Sequence, residues 1–253
     1  MNLRFLVFVM TFFLLQSCAS KKDIVYFQGE HAFENLEYHD SRVMVNDILK
    51  IEVSAVIPEI AIPYNVLSVK GALGSASVDA LKLQGYLVTA NGEITFPVLG
   101  AIKVAGMTTK AVEEHIVELL NTGGHIKDAV VLARIVNAKI TILGEVNLPG
   151  TYNFTEQNLT LPQALGYAGD LTINGQRHDV MIIRQEEGVR EIGHIDMTKT
   201  DWFNSKFYHV QQNDVIVVKP NNPKVKSSGF IGNAATVLSI ASILLSTAIL
   251  ITR

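Results

Sequence analysis

The sequence predicts an α+β protein: two β-rich units, each with one helix, followed by a C-terminal transmembrane helix. Three observations carry this. Two β-rich runs flank Asn91-Gly92, the strongest short hairpin signal. A second strand–turn–helix succession starts at Lys139. The stretch Gly229 to Ile251 holds no charge and no proline; as a helix at 1.5 Å per residue it would run about 34 Å, enough for a hydrocarbon core of ~30 Å. The 253 residues are 48% hydrophobic and 18% charged with a net charge of −3, so no basic footprint for nucleic acid exists.

At the amino terminus Arg4 precedes the apolar run Phe5 to Leu15, followed by Gln16-Ser17-Cys18. A basic start and a short apolar core mark a secretory signal over 1–17. The Leu-x-Ser-Cys ending resembles a bacterial lipobox, which implies that Cys18 is lipidated and becomes the first mature residue. Cys18 is the only cysteine, so no intrachain disulfide forms. Ser20 at the next-but-one position implies, by the same resemblance, passage to the outer membrane. Cleavage nearby and an uncleaved anchor are the competing readings. Residues 18–37 read as a lipidated tether.

Val43 to Val53 alternates as a strand, punctuated by Asn46-Asp47. Gly71-Ala72-Leu73-Gly74-Ser75 lacks the lysine of a phosphate loop and reads as a loop. A hairpin is expected over Gly85–Pro97 around Asn91-Gly92. Leu99 to Val104 continues as strand, and Thr108-Thr109 opens a helix whose face is Val112, Ile116, Leu119 and Leu120, stopped by Gly123-Gly124. Ala129 to Val136 is another strand.

Asn46-Asp47-Ile48-Leu49-Lys50-Ile51, then Val88-x-x-Asn91-Gly92-Glu93-Ile94-Thr95-Phe96-Pro97-x-x-Gly100, then Val104-x-Gly106-Met107-Thr108 resembles the polysaccharide export domain of Wza-type capsule and exopolysaccharide export proteins. The resemblance covers residues 38–136. It departs where the family's Pro-Gly-Asp turn is Val45-Asn46-Asp47; asparagine tolerates the left-handed geometry that glycine supplies.

The second unit, 137–220, runs from strand Ile140–Val146 through the turn Asn147-Leu148-Pro149-Gly150 to Thr151–Phe154. Thr160 caps a helix with Pro162 in its first turn and Gln163 completing a capping box; Gly169 closes it. Val180–Arg184 and Val189–Ile195 form a hairpin around Glu186-Glu187-Gly188, and Asn213–Val218 is a last strand, ended by Lys219-Pro220. Gly-Glu-Val-x-x-Pro-Gly-x-Tyr followed by Ala-Leu-x-x-Ala-Gly resembles the SLBB module, which implies a β-grasp-like fold.

Residues 221–228 form a polar linker into the terminal stretch 229–251. There Gly232, Ala235, Ser239, Ser242 and Ser246 recur at gaps of three and four, one stripe on a helix. Such a stripe suits close helix packing in lipid or a mildly polar lumen; a plain tail anchor whose serines bond their own backbone is the alternative.

Catalytic and metal chemistry is not signalled. The seven histidines, His31, His39, His115, His125, His178, His194 and His209, show no ligand spacing. Glu113-Glu114 and Glu186-Glu187 are paired only in sequence. Asp40-Ser41-Arg42, Asp170 and Asp201-Trp202 are candidates for sugar contact, with Trp202 weighed as a packing residue. No catalytic residue, cofactor or metal is assigned, and no enzyme activity is expected.

The resemblance implies an outer-membrane lipoprotein with a periplasmic body whose copies form a homo-oligomeric ring and a porin-like conduit. Its cargo would be capsular or exopolysaccharide, and its partner an inner-membrane polysaccharide co-polymerase or tyrosine autokinase. Two rivals stay open: an anchored periplasmic module that binds a soluble ligand or partner without forming a pore, and an enzyme acting on polysaccharide.

Overall fold

The computed structural model describes residues 21–29, 41–65, 85–186, 188–227 and 234–251. Its chain folds around two hydrophobic cores that share Ile135 as a flanking contact.

The first core is built on β1 (Ile48–Ser54), where Leu49, Ile51 and Val53 alternate inward. A short helix α1 (Pro58–Ala61) follows. Next come β2 (Tyr86–Leu87), β3 (Glu93–Phe96) and β4 (Gly100–Lys103). Helix α2 (Thr109–Thr122) then packs Val112, Ile116 and Leu120 inward, all fully buried. Its cap Thr108 accepts the N–H of Ala111 at 3.1 Å, and Gly124 leaves it at φ +70°. β5 (Val130–Ile135) pairs antiparallel with β1, giving the sheet order β2-β1-β5.

The expected hairpin forms one turn later in the chain. Residues 89–92 do turn, with the Gly92 N–H donating to Thr89 O at 2.8 Å. The preceding run, however, joins β1: the Val88 N–H donates to Asp47 O at 2.8 Å, and the Asn46 N–H to Val88 O at 2.9 Å. β3 pairs instead with β4, around Val98 and Gly100, both at positive φ.

The second core fills a five-stranded sheet of order β7-β6-β10-β8-β9. Its strands are β6 (Lys139–Gly144) and β7 (Gly150–Asn153), then β8 (Gly175–Glu186) and β9 (Val189–Ile195) after helix α3 (Leu161–Tyr167), and β10 (Val215–Pro220). β10 runs parallel to β6 and antiparallel to β8. The capping box at α3 is formed: the Gln163 N–H reaches Thr160 Oγ1 at 3.4 Å, and the Thr160 N–H reaches Gln163 Oε1 at 2.9 Å. Gly169 closes the helix at φ +70°.

Two helices end the chain, α4 (Asn222–Ser227) and α5 (Ala234–Ile251). Here the expectation of a transmembrane helix over 229–251 is corrected. Helix α5 has 18 residues, about 27 Å at 1.5 Å per residue, short of the ~30 Å hydrocarbon core. Among the described residues no helix is long and apolar enough to cross a membrane. Over the described residues the fold class is α+β without that span.

Candidate functional site

The two cores are joined at a seam made by one turn used twice. Met44-Val45-Asn46-Asp47 opens β1, and Gln211-Gln212-Asn213-Asp214 opens β10. In each, the aspartate N–H donates to the carbonyl three residues back, at 3.1 and 3.2 Å, and the asparagine at the third position holds a positive φ of 71° and 66°. Asparagine is among the few side chains that adopt this conformation readily. In each, too, an aspartate Oδ2 accepts the N–H of the turn's first residue, at 2.6 Å for Asp47 and 2.8 Å for Asp214.

The two carboxylates are compensated differently. Asp214, 1% exposed, takes Nε and Nη2 of buried Arg184 at 3.1 and 2.8 Å. Arg184 also donates to the carbonyls of Lys206 and His209, at 2.9 and 2.8 Å. Asp47, 3% exposed, receives no cation; it takes the amide of Gln212, whose Nε2 donates to Asp47 Oδ2 at 2.7 Å and to Arg42 O at 3.0 Å. Burial pushes the Asp47 carboxyl above its ordinary range, against the opposing hydrogen bonds from Met44 and Gln212. Asn137 braces the same turn, accepting the Ile48 N–H at 2.8 Å and donating to Asn46 O at 2.9 Å.

Two clefts open at this seam. The larger, about 710 Å³, lies between Arg42, Asn46 and Lys103 of the first unit and Gln185, Glu186 and Asn213 of the second. The other, about 450 Å³, lies between Glu113 and Arg134 on one side and Phe154, Glu156 and Gln157 on the other, with Gln212 at its edge. Among the described residues no group of three or more His, Cys, Asp or Glu side chains is arranged to hold a metal.

Residues 21–29 lie on the second unit. After the short 3-10 turn Lys21–Asp23, the Phe27 N–H donates to Met197 O at 3.1 Å and the Gln28 N–H to Thr198 O at 2.6 Å. The Tyr26 hydroxyl donates to Asp170 Oδ1 at 2.6 Å, while the Arg177 guanidinium sits 5.1 Å from the Tyr26 ring centre. Burial first, then the Asp170 hydrogen bond, pushes the Tyr26 phenol up. The Phe27 ring packs against Trp202 and Phe203, with centres 6.2 and 5.4 Å away.

Of the residues singled out in the sequence, Cys18, Ser20, His31, His39, Asp40, residues 71–75, Glu187 and Gly232 lie outside the described residues. Ala235, Ser239, Ser242 and Ser246 belong to α5. The Ser242 and Ser246 hydroxyls turn onto their own helix, donating to Ser239 O at 2.8 Å and Ser242 O at 2.7 Å. Trp202 is 5% exposed and its Nε1 donates to Lys199 O at 2.9 Å, a packing role. Asp170 is engaged by Tyr26, and Ser41 lines the smaller cleft. Sequence reading missed Gln212 as the seam residue, although the recurrence of Asn-Asp before β1 and β10 was there to find. It also missed the nearly parallel Tyr152 and Tyr167 rings, 6.0 Å apart at 13°.

The fold is thus α+β, a β-rich unit followed by a five-stranded unit joined to it through paired turns. Comparison with known families divides the chain in the same place. Residues 36–136 match the family described as polysaccharide biosynthesis/export protein, and residues 139–193 match the SLBB domain. Over these two stretches the chain is similar to polysaccharide export proteins, a family whose members are transport components. It is 32% identical over 136 residues to the EPS I polysaccharide export outer membrane protein EpsA of Ralstonia solanacearum, covering 52% of this chain and 35% of the relative. To the protein of the same name in Ralstonia nicotianae it is 32% identical over 148 residues, covering 56% and 38%. The chain thus spans little more than a third of the length of these relatives.

Proposed function

We propose that this chain is an outer-membrane lipoprotein whose copies form a conduit for exported capsular or exopolysaccharide. The observation that carries the reading is the succession of an export domain and one SLBB domain in a single chain, with units over 38–136 and 137–220. A polymer conduit requires no covalent chemistry; it requires a ring of copies held at the membrane. A ring closes through a heterologous interface repeated by rotation. Acylated Cys18 is the anchor, and the body stands in the periplasm. The stripe Gly232, Ala235, Ser239, Ser242 and Ser246 is a packing surface between copies: hydroxyls already bonded within α5 can meet an apolar neighbour without leaving a donor unsatisfied. An inner-membrane co-polymerase or tyrosine autokinase supplies the polymer.

The test is deletion of the gene together with a Cys18→Ser variant. Loss of surface polymer in both, and loss of labelled palmitate incorporation in the variant, are the expected outcomes. Unchanged surface polymer after deletion would remove the export reading. A second reading, an anchored periplasmic binding module that forms no pore, is favoured by one observation: clefts of about 710 and 450 Å³ open between the two units. The mass of the full-length protein in mild detergent, beside a chain ending at Ser228, separates the two. A discrete ring supports the conduit, and a monomer in both supports the binding module.

A further inference from the structure

The smaller seam cleft and the tyrosine pair beside it are joined by one carboxylate. Glu156 lines the cleft, and its Oε1 accepts the Tyr167 hydroxyl at 3.0 Å. Its Oε2 accepts the Thr155 N–H at 2.9 Å. These hydrogen bonds hold the exposed Glu156 carboxyl below its ordinary range, the backbone donors contributing most. A carboxylate has about four acceptor positions, so this one is fixed in place with acceptor capacity remaining. Tyr167 is 38% exposed and its ring lies nearly parallel to that of Tyr152. Tyr152 is itself fixed by donating its hydroxyl to Leu148 O.

From this geometry we propose that the cleft lined by Glu156, together with the Tyr167 that Glu156 holds and the Tyr152 stacked on it, forms a saccharide-binding site for a short neutral segment of the exported polymer. A sugar ring has an apolar C–H face and a rim of hydroxyls. It is held by an aromatic surface, whose body is apolar and whose edge is polar, together with planar acceptors and donors at the rim. The tyrosine rings supply the first. Glu156, the Gln157 amide and the Arg134 guanidinium supply the second, and Phe154 adds apolar wall. A volume of about 450 Å³ falls within the ~300–1,000 Å³ of small-ligand clefts. With Glu113 and Glu156 against the single arginine Arg134 in its lining, the cleft disfavours a polyanionic segment. The site uses both domains, so a chain held there touches export domain and SLBB domain together. The identity of the ligand rests on the export reading; the geometry of the site does not.

The experiment is calorimetric titration of the full-length protein in mild detergent with oligosaccharides released by mild acid from the native cell's surface polymer. Saturable binding is expected, weakened at least tenfold in Tyr167→Ala and in Glu156→Gln. Both residues are exposed, and the unfolding midpoint and Trp202 fluorescence should match the parent; if one variant is unstable the other carries the comparison. Absence of binding to the parent, or equal binding to folded variants, overturns the proposal. The export reading stands or falls separately, on whether deletion of the gene removes polymer from the cell surface.

Discussion

The side-chain amide of Gln212 donates to Oδ2 of Asp47 at 2.7 Å, across 165 residues of sequence. Both groups are almost fully buried, so the contact between the two units is made away from water. A donor lost there leaves a buried carboxylate short of one partner, which costs about 1–3 kcal/mol and more where the acceptor is charged. Gln212→Ala is therefore predicted to lower stability by about 2 kcal/mol. In calorimetry its single unfolding transition is expected to broaden or split as the units uncouple. An unchanged transition would show that the seam is held elsewhere.

Asp47 predicts a pH dependence of definite sign. Burial raises its folded-state pKa above the unfolded value, so the folded protein holds this proton more tightly than the unfolded chain does. The associated stability is fully present below the unfolded value, about 3.9, and is lost as pH rises through the folded value. Asp47→Asn keeps an acceptor for Met44 and Gln212 and removes the titration. Chemical denaturation at a series of pH values should show the variant gaining on the parent from pH ~4 toward neutrality. A constant difference between the two would refute the assignment.

Burial pushes the Asp214 carboxyl up as well, but here the Arg184 guanidinium opposes it with a hydrogen bond and a charge. Asp214 has a cation of its own, and the pair is 5% and 1% exposed at the side chains. Removing one member leaves an uncompensated buried charge, at a cost of about 3–5 kcal/mol. Asp214→Ala should therefore be among the most destabilising single changes in the second unit. Arg184→Met combined with Asp214→Leu should restore part of the loss, since a buried ion pair can be replaced by packed apolar groups at little cost. Measured unfolding free energies that simply add would contradict the coupling.

These contacts mark where local sequence reading ends. The capping box of Thr160 and Gln163, the buried face Val112, Ile116 and Leu120, and the left-handed Asn46 were legible because each depends on residues within a few positions of one another. The hairpin around Asn91-Gly92 was half legible: the turn is there, but Val88 bonds to Asp47 and draws its run onto β1. Strand pairing is a contest between distant segments, and periodicity does not record its outcome. Hydropathy found the apolar terminal stretch but not the extent of its helix, which begins at Ala234 in the described residues. The repeated Asn-Asp marks the two seam turns, but not that Gln212 reaches Asp47, and nothing in residue type or spacing marks the Tyr152–Tyr167 pair, because such side chains find their partners only in three dimensions.

Two glycines allow conformational strain to be separated from collision. Gly188, in the β8–β9 turn, has φ +80° and open space where a Cβ would stand; Gly144, ending β6, has φ +92°, and its Cβ would run into the carbonyl oxygen of Val218. Gly188→Ala meets only the left-handed backbone, a cost on the order of 1 kcal/mol. Gly144→Ala meets that cost and must also move β10, whose parallel register pairs Val218 with Gly144 and whose Val218 carbonyl accepts the Glu145 N–H at 2.9 Å. The clash is with backbone, so no side-chain rotation relieves it. Gly144→Ala is predicted to lose at least about 2 kcal/mol more than Gly188→Ala, read as the difference in unfolding free energy. Equal losses would mean that β6 and β10 are not held in this register in solution. Because β10 leads directly from the Gln212 turn, a shifted β10 would also displace the amide from Asp47. Gly144→Ala and Gln212→Ala should then be less than additive when combined.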